Sequence, residues 1–187
     1  MPCQKLLVVL KWSLPEEFQA GSVSLGEEDV LYMREALAEA KEAAAKGEVP
    51  VGAVVVRAGE IVGRGHNLRE TLADSSAHAE ILALREAARK TGDWRLSDCT
   101  LYVTIEPCPM CAGALVQSRV ARLVYGARDP KAGAVDSLVD LVRDPRFNHR
   151  VEVTSGVLEE ECRAVIQGFF RGLREKKDEA DQESLWL

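Results

Sequence analysis

In the first part of the chain, apolar positions recur among polar ones with the period of a helix. Apolar side chains recur every three or four residues from Val30 to Ala44, which predicts an amphipathic helix. The sequence Ser-Leu-Gly-Glu at 24–27 is typical of a capping box, and Gly47 suits the helix end. Residues 1–26 show no such period, and we predict an irregular extension there.

Strand patterns come next. β-branched residues dominate 51–57, and a second strand is predicted over 60–65 after a turn at Ala58 and Gly59, so the two strands form a hairpin. A loop is expected over 66–76. The remaining predicted elements are a helix over 77–90, a strand over 99–105, a helix over 108–117, strands over 122–125 and 151–153, a short helix over 136–142 and a final helix with the apolar stripe Leu158, Cys162, Val165, Phe169 and Leu173.

The order of these elements predicts an α/β sandwich around one mixed sheet. The chain has 187 residues, of which 47% are hydrophobic and 29% charged, as expected for one globular domain. We therefore divide it into the extension 1–26, a domain over 27–176 and a polar tail over 177–187. The apolar run 6–10 is far shorter than the ~20 residues of a membrane span. A cytoplasmic protein is expected.

The net charge of the whole chain argues against a general nucleic-acid binder, but the local charge of one stretch does not. The net charge is −6, whereas such binders are usually basic. Residues 119–150, however, contain seven lysines and arginines against four aspartates. This stretch is either a local positive face or an ordinary solvated surface.

Cysteine content points to metal or catalysis. The five cysteines are an odd number and no secretory signal is evident, so a disulfide framework is not expected. Cys108 and Cys111 are separated by two residues at a predicted helix start, where the helix dipole stabilises thiolates. The pair alone fits a redox disulfide and a zinc site equally well.

A second motif favours zinc. His78 and Glu80 lie at the start of another predicted helix. One histidine and two cysteines give three ligands, the number of a catalytic zinc site that leaves a position for water. Glu80 is close enough to carry protons for that water. Cys99 or Cys162 would close the site as a fourth ligand, but we expect Cys99 before its strand and Cys162 in the core.

These motifs resemble a known family. His-x-Glu followed by Pro-Cys-x-x-Cys is the signature of zinc-dependent nucleoside and nucleobase deaminases. The matching stretches are Glu48-Val49-Pro50-Val51-Gly52-Ala53, Ala77-His78-Ala79-Glu80-Ile81, 104–114, Tyr125-Gly126-Ala127-Arg128-Asp129 and Asn148-His149-Arg150-Val151. They are similar to the bacterial tRNA adenosine deaminases over about residues 30–175, and the last two stretches favour a tRNA substrate.

The resemblance implies a cytidine deaminase-like fold, with three α/β/α layers around about five strands. It implies one Zn²⁺ per subunit, held by His78, Cys108 and Cys111, and deamination of the wobble adenosine of a tRNA anticodon to inosine. Glu80 would move a proton from the activated water to nitrogen 1 of adenine and help protonate the departing ammonia. A homodimer contacting the anticodon loop is implied as well.

The resemblance also nominates residues that contact substrate. Asn67 matches a position that hydrogen-bonds the inserted base, and Asp129 matches one near the RNA, although it is also a natural turn residue. The full set of substrate-binding candidates is Asn67, Ala79, Arg128, Asp129, Lys131, His149, Arg150 and Phe170. Arg146 is a further candidate for phosphate and Phe147 for stacking, whereas Phe169 is expected in the core.

Three rival functions stay open at this level. A deaminase of a free base or nucleotide, such as cytosine or guanine, would share the zinc motifs without needing the basic stretch. A structural zinc module that binds RNA would have a fourth protein ligand. A thiol oxidoreductase would cycle Cys108 and Cys111 through a disulfide and hold no metal.

Overall fold

The structure is a computed structural model that describes residues 25–184, with Leu25 and 177–184 described by their backbone alone. The extension predicted over 1–26 therefore falls almost entirely outside the described residues, as does the first residue of the capping box. The elements in chain order are α1 (Leu25–Ala45), β1 (Gly52–Arg57), β2 (Glu60–His66), α2 (Arg69–Leu72), α3 (Ala79–Thr91), β3 (Cys99–Ile105), α4 (Pro109–Gln117), β4 (Arg122–Ala127), β5 (Glu152–Ser155) and α5 (Glu159–Ser184).

The five strands form one mixed sheet in the order β2-β1-β3-β4-β5. β1 is antiparallel to both β2 and β3, whereas β3, β4 and β5 run parallel. In the register of the parallel pair, Ile105 lies opposite Ala127. The residues that follow, Glu106 and Arg128, therefore leave the sheet at the same edge.

Each face of the sheet is covered by helices, which confirms the predicted three-layer architecture. Successive strand residues point to opposite faces, so Val54 belongs to the core beneath α1 and α5, and Val55 to the core beneath α3 and α4. β2 packs closely on α3, because a Cβ at Gly65 would lie 2.3 Å from the Ala79 carbonyl oxygen. This close packing fixes the start of α3 against the sheet.

The short helix predicted over 136–142 is wrong. This segment forms turns, and the amides of Asp136 and Ser137 donate hydrogen bonds to the Glu106 carboxylate, at 2.7 and 2.9 Å. Those amides are therefore satisfied by a residue that is distant in the sequence. The loop predicted over 66–76 also contains the four-residue helix α2.

The final helix differs from its prediction at the C-terminal end. Its backbone continues to Ser184, past the point where the polar tail was expected to begin. Cys162 is fully buried as predicted, but the Leu173 side chain is 48% exposed, so the apolar stripe leaves the core in this part of the helix. Phe169 is half-buried and contacts Phe170 edge-on.

Of the helices in residues 25–184, none combines the length and the apolar character that a membrane span requires.

Candidate active site and metal centre

Two helix N-termini in the same layer carry the predicted metal ligands. His78 is the N-cap of α3 and Cys108 is the N-cap of α4, both with extended backbone. Cys111 lies in the first turn of α4. This helix begins at Pro109, and proline is well suited to the first helical position. The N-cap conformation directs both side chains toward the space between the helix ends.

The three ligand atoms have the spacing of a zinc site. His78 Nδ1 lies 3.7 Å from Cys108 Sγ and 3.5 Å from Cys111 Sγ, and all three atoms lie within 4.8 Å of one another. Ordinary Zn–S and Zn–N bonds at tetrahedral angles place sulfur and nitrogen about 3.6 Å apart. The chemistry of the donors and their spacing therefore both fit zinc.

Within the described part of the chain, no further histidine, cysteine or carboxylate completes this cluster as a fourth ligand. The Cys99 thiol contacts Asp98, and the Cys162 thiol packs in the core on the other face of the sheet. Burial raises the pKa of Cys99 to about 11 and that of Cys162 to about 12. Both behave as buried apolar residues, and the cluster keeps three ligands.

The electrostatics of the cluster suit a metal and a proton carrier. Hydrogen bonds from Cys111 and His78 lower the pKa of Cys108 well below its usual value, which favours the thiolate that metals bind. The hydrogen bond with Cys108 and burial raise the pKa of Cys111, so this pair favours the thiolate at Cys108. Glu80 is only 3% exposed, and burial raises the pKa of its carboxyl group. A raised pKa lies closer to pH 7, and general acid–base catalysis is most efficient when the pKa of the group is near the working pH.

A large cleft of about 910 Å³ opens over the cluster. It contains His78, Glu80 and Cys108 together with the end of β3 and residues of α5. Six of the eight substrate-binding residues predicted from the sequence line it: Asn67, Ala79, Arg128, Asp129, Lys131 and Phe170.

His149 and Arg150 lie outside this lining. A His149 ring nitrogen is 2.7 Å from the Val120 carbonyl oxygen, near the start of β4 and thus at the opposite end of that strand from Arg128. Arg146 pairs with Asp144. Contacts between RNA and these three residues stay a prediction.

Comparisons with known proteins agree with this geometry. A family model described as MafB19-like deaminase matches residues 27–174. A tRNA-specific adenosine deaminase of Bacillus subtilis is 59% identical over 82% of this chain and 95% of its own length. The chain belongs to the tRNA-specific adenosine deaminase family.

Three further similarities locate this deaminase among its relatives. The tRNA-specific adenosine deaminase of Haemophilus influenzae is 51% identical over 80% of this chain and 87% of its own length. A structure solved in work on A-to-I editing by tRNA:A34 deaminases has a TM-score of 0.70 at 44% identity, covering 72% of this chain and 98% of the other. A guanine deaminase from Nitrosomonas europaea has a TM-score of 0.65 at 28% identity, covering 75% and 83%.

Two buried glutamates of the deaminase were missed as site residues by sequence reasoning. Glu48 is 1% exposed; it accepts a hydrogen bond from Asn67 Nδ2 at 3.3 Å and one from the Thr71 amide at 2.7 Å. Glu106 is 2% exposed and binds the loop after β4. Each lies within or beside a quoted motif, but only the fold shows what its carboxylate holds.

A narrower groove extends the cleft of the deaminase along α5. It has a volume of about 470 Å³, and its lining includes Lys131, Phe170, Arg171 and Arg174. Lys131 and Phe170 also line the main cleft. The groove therefore joins a cationic surface to an aromatic ring at the entrance of the active site.

Proposed function

We propose that this enzyme deaminates the wobble adenosine of a tRNA anticodon to inosine by hydrolysis. The observation that carries the proposal is the cluster of His78, Cys108 and Cys111 beside buried Glu80, in a chain 59% identical to a tRNA-specific adenosine deaminase. Water replaces the 6-amino group of adenine, and the group departs as ammonia.

His78, Cys108 and Cys111 would hold the zinc ion. Bound zinc lowers the pKa of water to about 7 in favourable sites and so supplies a nucleophile at neutral pH. The thiolate character of Cys108 and the absence of a fourth ligand among the described residues support this use.

Glu80 moves the protons. Its carboxylate accepts a proton from the attacking water and gives it to nitrogen 1 of adenine, and it then assists protonation of the leaving amine. Burial near the floor of the cleft supports this assignment, because a raised pKa allows the carboxyl group to hold a proton and to release it again.

The cleft binds one extruded base and the RNA on either side of it. A base must leave its stack to reach a buried site, and an anticodon loop presents bases that are already exposed. Asn67 and Ala79 line the cleft close to the cluster, and Arg128, Asp129, Lys131 and Phe170 line the wall formed by the β4 loop and α5. We assign the first pair to the base and the second set to the flanking nucleotides.

The deciding experiment compares substrates. Purified zinc-loaded protein is incubated with a tRNA whose wobble base is adenosine, with the same tRNA carrying guanosine there, and separately with free cytosine and guanine. We expect inosine in the first tRNA and no ammonia from the free bases. Ammonia from guanine or cytosine without inosine in the tRNA would replace this function by the free-base alternative.

Metal content separates the two remaining alternatives. A catalytic site predicts one zinc per subunit together with turnover. A structural module would bind zinc without any turnover, and a thiol oxidoreductase would hold no metal and would form a disulfide between Cys108 and Cys111.

A homodimer in the cytoplasm completes the proposal. Large apolar side chains are exposed on α4 and in the loop between β4 and β5, at Met110, Leu138, Val139 and Phe147, and such side chains are typical of interfaces. Light scattering on a sizing column should give twice the chain mass of 20.5 kDa, whereas a monomeric mass would show that the homodimer is wrong. We propose a cytoplasmic location because tRNA is the proposed substrate.

A further inference from the structure

One wall of the cleft is a loop that does not hold its shape by regular secondary structure. Arg128, Asp129 and Lys131 line the cleft, and the segment from 128 to 137 contains only turns and irregular backbone. Such a segment needs other partners for its amides. Four of these amides donate to oxygens of Glu106, the residue that directly follows β3.

The Glu106 carboxylate binds both ends of the loop. Oε2 accepts a hydrogen bond from the Asp129 amide at 3.0 Å and another from the Ser137 hydroxyl. Oε1 accepts from three successive amides, those of Val135, Asp136 and Ser137, at 3.1, 2.7 and 2.9 Å. One side chain therefore closes the segment between Asp129 and Ser137.

Close packing and charge make this arrangement specific to a carboxylate. A Cβ at Gly133 would lie 2.3 Å from the Glu106 carboxyl carbon, so the loop wraps directly around the group. No arginine or lysine of the described residues forms a salt bridge with Glu106; its charge is balanced by amide and hydroxyl donors. Hydrogen bonds to a charged acceptor are stronger than those to a neutral one.

The anchored end of the loop is also the end that lines the cleft. Asp129 Oδ1 accepts hydrogen bonds from the amides of Lys131 and Ala132, at 2.9 and 3.2 Å. The backbone of Asp129 is bound to Glu106 and its side chain shapes the next turn, so Glu106 fixes the position from which Arg128 and Lys131 extend. The zinc ligands are held separately, by α3 and α4.

We propose that Glu106 is a positioning residue for RNA recognition. It holds the wall formed by residues 128–137 in the shape that binds nucleotides flanking the target base, and it contributes to RNA affinity without taking part in the chemical step. This role rests on the proposed function, since it assumes that the cleft binds RNA.

The test is Glu106→Gln, which keeps the shape of the side chain but replaces one acceptor oxygen by an amide that cannot accept. Binding of a fluorescent anticodon stem-loop is measured by anisotropy in the zinc-loaded Glu80→Ala background, where no turnover interferes. We expect Kd to rise about tenfold, the effect of losing one hydrogen bond to a charged group. In the active enzyme KM should rise similarly, with kcat at saturating RNA within about twofold.

Three variants keep the result interpretable. Ser137→Ala removes a single donor and should weaken RNA binding by about threefold, whereas Ser137→Thr keeps the hydroxyl and should bind RNA as the wild type does. If Glu106→Gln does not fold, these two variants test the positioning role in its place. Asp29→Asn alters a carboxylate that is 5% exposed and paired with Arg122, at the start of β4. It should lower the melting temperature without changing Kd.

Failure of the role and failure of the proposed function look different. If wild-type protein binds and deaminates the tRNA while Glu106→Gln and Ser137→Ala keep the wild-type Kd, the positioning role is wrong and the function stands. A fall in kcat with unchanged Kd would likewise overturn the role. If wild-type protein neither binds nor deaminates the tRNA, both are wrong.

Discussion

At the scale of single residues, Glu80 separates metal binding from catalysis. Glu80→Gln keeps the size of the side chain but removes its ability to exchange a proton. Because His78, Cys108 and Cys111 remain, we expect zinc content to be unchanged and inosine formation to fall by at least about 10²-fold, the usual contribution of general acid–base catalysis. Metal analysis and single-turnover assays on the same sample check both parts; loss of zinc together with activity would contradict the assignment.

Glu48 yields a prediction about acid stability. Burial alone would raise the pKa of its carboxyl group, but hydrogen bonds from Thr71 and Glu70 outweigh burial and lower it below the usual 4.5. A lowered pKa in the folded state stabilises the protein above pH 4.5, and this stability is lost as the pH falls through the lowered value.

The measurement compares wild-type protein with Glu48→Gln in chemical denaturation at pH 7 and at successively lower pH. Wild type should be more stable at pH 7, and the difference should shrink below pH 4.5. Zinc loss in acid affects both proteins equally, so it cancels in the comparison. A difference that is constant with pH would show that the ionised carboxylate is not what stabilises this part of the cleft.

The chemistry of the site was predictable from the sequence at this scale, but its supporting residues were not. His78, Cys108 and Cys111 carry a recognisable spacing, and each side chain can bind a metal by itself. Glu48 and Glu106 have no distinctive chemistry as isolated residues. Their roles come from burial and from amide donors up to 31 residues away, which no local pattern encodes.

At the scale of elements, the close contact between β2 and α3 links the sheet to the metal centre. A Cβ at Gly65 would lie 2.3 Å from the Ala79 carbonyl oxygen and 2.6 Å from the Ala83 amide nitrogen. Gly65→Ala should push α3 outward and displace His78, lowering both the melting temperature and zinc affinity. We expect Gly168→Ala, in open space on α5, to be neutral or to stabilise by up to about 1 kcal/mol.

The groove along α5 predicts a contribution to RNA binding from charge. Replacing Arg171 and Arg174 by glutamate should weaken binding of the anticodon stem-loop and reduce its salt dependence, because fewer counterions are released. Arg89→Glu, at the far end of α3, is the matched control and should change neither. Equal effects of the two sets of substitutions would mean that only net charge matters.

Elements whose apolar residues recur at the spacing of a helix or a strand, and so form one buried face, were predicted correctly. The β1–β2 hairpin, β3 and the helices α3 and α4 follow this rule. The turns over 136–142 do not: the amides of Asp136 and Ser137 bind Glu106, which is distant in the sequence. Leu173 continues the apolar stripe of α5 in sequence, but the residue is exposed.

At the scale of the whole molecule, two hydrophobic cores, one on each face of the sheet, hold the fold together. One core contains Val55, Leu101 and Leu115, and the other Met33, Val54 and Tyr102. We therefore expect chelation to abolish turnover while circular dichroism shows the protein still folded, with a lower melting temperature from the loss of ligand binding. Activity should return with added zinc; unfolding on chelation would show that the metal is structural.

The distribution of charge over the molecule differs from its average. The chain carries a net charge of −6, yet Arg69, Arg128, Lys131 and Arg163 all line one cleft. Affinity for RNA depends on the local field at the site of contact, which overall charge does not report.

The order of the elements along the chain has a consequence for biosynthesis. The zinc ligands and Glu80 all lie between residues 78 and 111, whereas Phe170 and the rest of the α5 wall come more than fifty residues later. A nascent chain therefore exposes its metal-binding groups to the cell before the last layer closes over the sheet. Polypeptides released early from the ribosome would carry these metal-binding side chains without the cavity that gives them a substrate.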